Sequence, residues 1–253
     1  MAKVFPLEFS LVDKSLQNIY DEALFLCKDV MCTAPISLIF ADDKVGVQNL
    51  SEKNQKPVYV DFIEGTLAHR RKYGGGRKSE AVAKACFGNM PAPIIFDATA
   101  GLARDSFVCA YLGAEVHMFE RNPVVRILLK DGIRRAKEGC EDPNFYTEKL
   151  ILEDVISIDK YKGNVEPDTV YLDPMYPERK KSALVKKEMR TFHFLIGEDL
   201  DSEALLQSAL ILAKKRVVMK KPKWAEVVAP ENCIANIETQ NHRFDIYLPT
   251  AKL

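Results

Sequence analysis

The sequence predicts an α/β fold in two parts, a small N-terminal α/β domain over residues 1–65 and a larger domain over residues 66–253. Two observations predict the larger part. From residue 93 onward, short apolar segments of strand length alternate with helical segments, a pattern typical of a central, mostly parallel sheet covered by helices. The last two β-rich segments, 233–238 and 244–248, have only a tight connection between them, which predicts a C-terminal antiparallel hairpin.

The elements of the small domain follow from local patterns. Residues 16–30 have helical periodicity and follow Ser15, a residue type that caps helices. Three β-rich runs come next, at residues 36–40, 45–50 and 58–62. Asp42-Asp43 predicts a turn between the first two runs. Together these elements form a compact unit that precedes the regular alternation.

The elements of the larger domain alternate in order along the chain. The predicted strands are residues 94–98, 115–120, 150–154, 168–173 and 216–220. The predicted helices are residues 79–86, 104–112, 124–137 and 202–213. Pro123 suits the first turn of the third helix, where its missing amide hydrogen is not needed. The continuous apolar run Val170-Tyr171-Leu172 is typical of a strand that is buried on both faces.

The charge is balanced overall but concentrated locally. The chain has 36 Lys plus Arg and 36 Asp plus Glu. Residues 69–78, 179–190 and 214–223 hold 17 of the 36 cations and one acid, Glu188, so these segments carry +16 and the remainder −16. Any one such run is usually a solvated face. Three of them in a neutral protein favour a polyanionic partner, and RNA above all.

Several classes of protein are disfavoured. The apolar runs fall far short of the roughly 20 residues that span a bilayer, and the N-terminus lacks the apolar region of a signal peptide. Without clustered ligands the four histidines predict no metal site. The cysteines form no C-x-x-C pair, so they predict buried, reduced thiols in a cytoplasmic protein. They are Cys27, Cys32, Cys86, Cys109, Cys140 and Cys233.

A nucleotide-type turn, FDATAGLARD, joins the first strand of the larger domain to its helix. Small residues allow a ligand to approach the backbone, and the helix N-terminus offers free amides. Glu120 ends the next strand, where a carboxylate can accept both ribose hydroxyls. Thr99 and Ala103 stand where a dinucleotide fingerprint has glycines. The turn is similar to the first motif of S-adenosylmethionine (SAM) methyltransferases, which makes Asp97, Thr99, Gly101 and Glu120 cofactor candidates; a plain strand-helix turn is the alternative.

The second motif, Asp-Pro-Met-Tyr-Pro, follows the fourth strand. Its carboxylate, Asp173, can accept hydrogen bonds from an exocyclic amine together with the backbone carbonyl of Pro174, while the Tyr176 ring stacks on the base. The motif resembles the [Asp/Asn]-Pro-Pro-[Tyr/Phe] motif of enzymes that methylate exocyclic amino groups of nucleobases, with Met175 in place of the second proline. A rigid loop is the alternative interpretation. We therefore predict Asp173, Pro174 and Tyr176 as catalytic residues, with no metal and no nucleophilic side chain.

The basic segments predict the RNA-binding residues. Two of them adjoin motif positions, so we expect parts of all three to gather around the strand ends that bear Asp97, Glu120 and Asp173. The predicted RNA contacts are Arg70, Arg71, Arg77, Lys78, Arg179, Lys180, Lys181, Lys186, Lys187, Arg190, Lys220 and Lys221.

Long strings in this chain closely resemble one known family. They are HRRKYGGGR, DATAGLARDSF, FERNPVV, YLDPMYPERKKSALVKKEMR, KRVVMKKP and HRFDIY. The match runs from about residue 58 to residue 248 and is to the bacterial small-subunit (16S) ribosomal RNA guanine-N2 methyltransferase family of the RsmJ type. The resemblance implies a Rossmann-like SAM methyltransferase fold, SAM as cofactor, and 16S rRNA or the small ribosomal subunit as partner. It also implies methylation of the N2 amine of a guanosine near the 3′ end of 16S rRNA.

The resemblance further implies cofactor contacts at specific positions. The local motifs match at Arg104-Asp105, Glu120-Arg121 and Asp173. A further pair falls on Asp154-Val155, where the family often has small hydroxyl residues and this chain does not. Asp154 can alternatively accept the adenine amino group. These expectations come from the family and not from spacing.

Other functions remain open at this stage. A SAM-dependent enzyme that acts on another amine, in a DNA adenine or a protein, would use the same two motifs. A non-catalytic RNA-binding factor of ribosome assembly would need neither motif, and a dinucleotide oxidoreductase would need the missing glycines. The sequence leaves open the oligomeric state, the role of residues 1–57, and whether the substrate is naked rRNA or an assembled subunit.

Overall fold

The computed structural model describes residues 3–139, 147–176, 187–196 and 201–250. In chain order the strands are β1 (Phe5–Pro6), β2 (Glu8–Leu11), β3 (Met31–Cys32), β4 (Ile36–Ala41), β5 (Lys44–Asn49), β6 (Val58–Tyr59), β7 (Ile94–Asp97), β8 (Glu115–Met118), β9 (Leu150–Leu152), β10 (Thr169–Leu172), β11 (Arg216–Pro222), β12 (Cys233–Glu238) and β13 (His242–Tyr247). The helices are α1 (Gln17–Cys27), α2 (Gly65–Tyr73), α3 (Ala81–Phe87), α4 (Arg104–Tyr111), α5 (Pro123–Gly139), α6 (Lys187–Ile196) and α7 (Ser202–Leu212).

The chain divides into two compact units. In the described parts of the chain the first unit comprises residues 3–61, 122–135 and 187–196, and the second comprises the remainder. The first unit contains a four-stranded sheet in the order β2-β4-β5-β6 and a two-stranded pair of β1 with β3. The predicted turn at Asp42-Asp43 joins β4 to β5, and both residues adopt positive φ, which aspartate tolerates better than most residues.

A buried carboxylate ties α5 into the first unit. Asp131 accepts hydrogen bonds from the backbone amide of Val45 (3.1 Å) and from Nε of Arg135 (2.9 Å). Asn122 caps α5, since its Oδ1 accepts from the amides of Val124 and Val125. Pro123 is the first residue of this helix, as predicted.

Two local predictions in the first unit need correction. Asp13, not Ser15, caps the start of the helical segment, because the Asp13 carboxylate accepts from the Ser15 amide and hydroxyl while residues 14–16 form a 3-10 turn. The helix ends at Cys27 and not at residue 30. The predicted strand over 58–62 is confined to Val58–Tyr59.

The second unit contains a seven-stranded sheet, counted over the described residues, in the order β12-β13-β11-β10-β7-β8-β9. Strands β9 to β11 run parallel to β7 and β8, whereas β13 pairs antiparallel with both β11 and β12. The predicted parallel sheet and C-terminal hairpin are thus confirmed. Strands β8 and β9, which follow β7 in the chain, lie on one side of it, and β10 lies on its other side, so the strand order reverses at β7. Open α/β sheets bind ligands at such a switch point.

Alternation along the strands sorts the two faces of this sheet. Phe96, Val170, Val217 and Met219 pack with α7 in one apolar cluster. Because successive side chains point to opposite faces, the residues between them face the other side. There Thr169 donates from its hydroxyl to the carbonyl of Cys86 in α3. The face of the sheet opposite α7 therefore lies toward α3 and α4, and Tyr171 on this face bonds to Asp105 of α4.

Two helices, α2 and α6, were not predicted. None of the residues of α2 is buried, so it lacks the apolar periodicity that marks a helix in a sequence. Four predicted buried thiols, at Cys27, Cys32, Cys86 and Cys109, are buried and free; Cys233 is partly buried, and Cys140 lies outside the described residues. No helix within the described ranges has the length and apolar content to cross a membrane.

Candidate active site

The turn between β7 and α4 contains two residues with left-handed backbone conformation. Gly101 and Ala103 both adopt positive φ, at 52° and 53°, and the helix begins directly afterward at Arg104. The left-handed conformation at Gly101 is one that glycine adopts without strain. The amide of Gly101 donates to Oε2 of Glu120 at 2.9 Å, so the turn and the end of the neighbouring strand are joined. Glu120 is only 6% exposed.

Asp97 is the last residue of β7, directly before this turn. It is buried and accepts hydrogen bonds from the hydroxyl of Ser106 and from the amide of Thr99 (3.1 Å). Burial raises the pKa of Asp97 to about 7, against the opposing effect of these two hydrogen bonds. Through these bonds the Asp97 side chain connects the turn to α4, and it is shielded from solvent.

The second motif lies beside the first. Strands β7 and β10 pair in parallel with Asp97 opposite Tyr171. Two residues later, the backbone amide of Asp173 donates to Oγ1 of Thr99 at 2.6 Å. Pro174 is buried, and the hydroxyl of Tyr176 contacts the sulfur of Met219 at 3.6 Å. The predicted catalytic carboxylate thus follows its strand at the edge that also carries the cofactor candidates.

A network of polar side chains connects α4, β10 and β11. Lys220 donates to Oδ2 of Asp105 and to Oδ2 of Asp173, both at 2.8 Å. The hydroxyl of Tyr171 donates to the same oxygen of Asp105 at 2.7 Å. Asp105 occupies the first turn of α4, where a negative charge is favourable.

Charge interactions set the ionisation of this network. Burial raises the pKa of Asp105, but the charge and hydrogen bond of Lys220 outweigh it, so the pKa lies below its usual value. Burial lowers the pKa of Lys220, and the two carboxylates reverse this and raise it. Burial and the Asp105 charge raise the pKa of Asp173, while Lys220 opposes them. Lys220 is therefore a permanent cation between two carboxylates.

A cavity of about 330 Å³ adjoins this network. It is lined by Arg70, Glu80, Ala81, Val82, Asp105, Lys220, Thr239, His242 and Phe244. Two of these lining residues, Arg70 and Glu80, form an ion pair with each other. Burial lowers the pKa of His242, and the Lys220 charge lowers it further. The cavity therefore offers two carboxylates, two cations and an imidazole to a polar ligand.

Three of the remaining cofactor candidates lie at the surface, and the fourth is partly buried. Arg104 and Arg121 are exposed, and Arg121 pairs with Asp201 at 2.9 Å. Asp154 is exposed after β9, while Val155 is partly buried against the apolar cluster under α7.

The basic segments have different environments. In the first, Arg71, Arg77 and Lys78 are exposed, and Arg77 donates to the carbonyl of Pro91. Arg179, Lys180, Lys181 and Lys186 lie outside the described residues, as does the side chain of Lys187. Arg190 belongs to the first unit and pairs with Glu52 there.

The third segment differs from the surface expected of an RNA contact. Lys221 is 1% exposed and donates to the carbonyl of Glu226, while Lys220 joins the two carboxylates described above. Arg70 and Lys220 line one cavity, so parts of two basic segments do come together in the second unit.

The sequence analysis assigned no site role to Tyr171, which it placed in a buried strand, or to His242. It predicted Lys220 as an RNA contact and not as a partner of two carboxylates. The signal that identifies all three is alternation. Asp97, Tyr171, Lys220 and His242 occupy positions on the same face of the sheet, opposite the cluster under α7. Among the described residues, no three potential metal ligands cluster together.

Known proteins resemble this chain over nearly its whole length. A family model described as "Putative SAM-dependent methyltransferase" matches residues 25–249. "Ribosomal RNA small subunit methyltransferase J" of Haemophilus influenzae (strain PittGG) is 46% identical over 244 residues, 94% of this chain and 95% of that protein. The protein of the same name from Histophilus somni (strain 129Pt) is 50% identical over 210 residues, 82% of each chain.

A solved structure agrees with these relatives. The crystal structure of a SAM-dependent methyltransferase from Neisseria gonorrhoeae has a TM-score of 0.72 and 33% identity, and the match covers 96% of both chains. Its fold and the seven-stranded sheet described above therefore belong to one architecture.

Proposed function

Because this chain belongs to the ribosomal RNA small subunit methyltransferase J family of SAM-dependent methyltransferases, we propose that it methylates the N2 amine of a guanosine near the 3′ end of 16S rRNA. The substrate is the rRNA itself or the small ribosomal subunit that contains it, and the reaction takes place in the cytoplasm. The names of the relatives and the long strings shared with that family support the RNA substrate.

One observation carries the catalytic part of the proposal. The hydrogen bond from the Asp173 amide to Thr99 Oγ1, at 2.6 Å, joins the amine-methylation motif to the cofactor turn. A methyl donor and an amine must approach within about 3–3.5 Å for transfer, so their binding elements have to be neighbours. Adjacent parallel strands with Asp97 opposite Tyr171 provide that proximity.

The residues of the turn fit an adenosyl cofactor. Gly101 adopts positive φ, and α4 begins shortly afterward at Arg104, so the amides of a helix N-terminus lie next to the turn. Glu120 is a buried carboxylate whose position is set by the Gly101 amide, and a carboxylate at this strand end can accept ribose hydroxyls. When bound, SAM supplies an electrophilic methyl group on a sulfonium.

The residues of the second motif act on the amine. N2 of guanine is a weak nucleophile, because its lone pair is delocalised into the ring. Hydrogen bonds from N2 to the Asp173 carboxylate and to the Pro174 carbonyl favour a pyramidal nitrogen with its lone pair directed at the methyl group. With SAM bound, transfer would form the N–C bond and break the C–S bond, whose electron pair would stay on sulfur, and N2 would lose one proton to solvent. Tyr176 stacks on the base.

The exposed cations supply RNA affinity. Arg71 and Lys78 lie at the surface of the second unit, in the segment that adjoins α2 and α3. Contacts from such residues to phosphates orient an RNA without reading its sequence. Base choice then depends on the pocket at the strand ends, into which a paired guanine would have to be extruded.

The test is methyl transfer by the purified protein. Tritium from labelled SAM should enter small subunits or 16S rRNA from cells that lack the gene, and digestion should place it on one guanosine as N2-methylguanosine. Asp173→Ala should abolish transfer while it retains SAM binding. The matched control is Glu166→Ala, because Glu166 is an exposed acid that precedes the start of β10, whereas Asp173 follows its end. Transfer to DNA or protein but not to rRNA would overturn the proposed substrate, and full activity of Asp173→Ala would overturn the role of that carboxylate.

A further inference from the structure

Lys220 has an environment unlike that of a surface cation. Its ammonium lies 2.8 Å from a carboxylate oxygen of Asp105 and 2.8 Å from one of Asp173, and its side chain is 19% exposed. By comparison Lys223, three residues on, is 43% exposed and pairs with Glu238 at the surface. An ammonium already bound between two carboxylates is poorly placed to neutralise an RNA phosphate.

The fold explains how a lysine from a basic run comes to lie inside. On β11, Val217 and Met219 face the apolar cluster under α7, so Val218 and Lys220 face the opposite side. Strand β11 pairs with β10 so that Val218 lies opposite Tyr171. Lys220 is therefore directed past the end of β10, where the residue after the strand is Asp173.

Both motifs of the site are connected through this one side chain. Asp105 belongs to the helix that follows the cofactor turn, and Asp173 belongs to the amine-methylation motif. The charged and titratable groups around Lys220 are Asp105 on α4, Tyr171 on β10, Asp173 after β10, His242 on β13, Arg70 on α2 and Glu80 before α3.

We propose that Lys220 is a positioning residue for methyl transfer, which holds Oδ2 of Asp173 so that Oδ1 of that carboxylate meets the guanine amine. This inference rests on the proposed function of Asp173. The rotation of a carboxylate about its terminal bond is broad, and a fixed hydrogen bond to one oxygen selects the orientation of the other. The ammonium also favours the ionised form of Asp173, the form that accepts the N2 hydrogen bond, and so opposes the effects of burial and of the second negative charge on Asp105.

The tests compare Lys220→Met, which removes the charge at similar length, with Lys220→Arg, which keeps it. Lys214→Met is the matched control, because Lys214 lies just before the opposite end of β11 and pairs with the exposed Glu166. For Lys220→Met we expect kcat for rRNA methylation to fall about 100-fold, the effect typical of a misplaced catalytic group, with SAM affinity within a few-fold of wild type. The acidic limb of its pH–kcat profile should move to higher pH, and Lys220→Arg should restore most of both properties.

Salt dependence separates this role from phosphate binding. A lysine that contacts a phosphate contributes about 0.7 to the slope of log affinity against log salt for single-stranded RNA. We expect the slope for Lys220→Met to equal that of wild type. A slope that decreases by about this amount while kcat is retained would identify a phosphate contact and overturn the proposal.

A direct measurement of Asp173 keeps the test independent of the RNA substrate. Carbon-detected NMR titration of the Asp173 carboxyl, assigned with Asp173→Asn, should show a higher pKa in Lys220→Met than in wild type or Lys220→Arg. An unchanged pKa, or a loss of kcat with no movement of the pH profile, would overturn the positioning role. Should wild type methylate no rRNA, the proposed function fails, and this titration still decides whether Lys220 controls Asp173.

Discussion

The amide of Asp173 donates a 2.6 Å hydrogen bond to the hydroxyl oxygen of Thr99. Thr99 belongs to the turn after β7 and Asp173 to the segment after β10, and 74 positions of sequence separate them. The bond is the point where the two motifs meet. It also explains why a threonine occupies a turn position at which a dinucleotide site would need glycine.

Thr99→Val should therefore disturb both motifs at once. The change keeps the shape of the side chain and leaves the Asp173 amide without its acceptor, which costs about 1–3 kcal/mol when such a group is shielded from water. We expect the variant to unfold at a lower urea concentration than wild type and to have a reduced kcat for rRNA methylation. Ser208→Ala, which removes a hydroxyl that bonds within α7, serves as control. Wild-type kcat and midpoint in Thr99→Val would show that the bond does not organise the site.

Glu120→Gln should weaken SAM binding. The amide retains one acceptor oxygen for the Gly101 amide, but it lacks the charge that strengthens hydrogen bonds from two ribose hydroxyls. We expect the Kd for SAM, measured by calorimetry, to rise about 10- to 100-fold. Glu115→Gln, at the exposed start of β8, the strand that precedes Glu120, should leave SAM affinity unchanged. Equal affinity of Glu120→Gln and wild type would remove Glu120 from the cofactor site.

Asp97 predicts a pH dependence of stability. Burial raises the pKa of Asp97 to about 7 in the folded protein, above the 3.8 of an unperturbed aspartate. The folded state then binds more protons between these values, so the stabilisation is present below pH 4 and is lost as pH rises through 7. The span corresponds to about 4 kcal/mol.

Urea unfolding between pH 4.5 and 7.5 tests this sign. Wild type should lose stability relative to Asp97→Asn as pH rises, because the asparagine has no charge to bury. The variant keeps the size of the side chain, so the comparison isolates ionisation. Parallel stability curves for the two proteins would show that Asp97 does not titrate in this range.

The exposed cations of the second unit should control the salt dependence of RNA binding. The double variant Arg71→Ala/Lys78→Ala should reduce the slope of log affinity against log salt by about 1.4 for single-stranded RNA, with SAM affinity unchanged. Lys28→Ala/Lys53→Ala removes two exposed lysines outside the basic segments and should leave the slope as in wild type. The same slope in all three proteins would place the RNA elsewhere.

The amino-acid sequence was enough to predict the strand ends at which the candidate site residues lie. Parallel strands all end at one edge, so acids after three such strands were expected to meet there, and the structure brings Asp97, Glu120 and Asp173 to the predicted strand ends of one sheet. The buried helices α3, α4 and α7 were likewise predictable from their apolar residues, whereas α6 was missed although Phe192 and Leu195 are buried. The exposed α2 was not predictable, because its residues lack apolar periodicity.

The partners of the charged residues at that edge could not be predicted, because they depend on tertiary contacts. Sequence showed Lys220 within a basic run, and a run of lysines looks the same whether it faces solvent or the interior. Its orientation depends on the pairing of β11 with β10 and on the placement of α4, which brings Asp105 to the same face. These contacts join residues more than 40 positions apart in the chain. Together the residues form an environment of low dielectric constant, in which the hydrogen bonds from Lys220 to the two carboxylates are stronger than they would be in water.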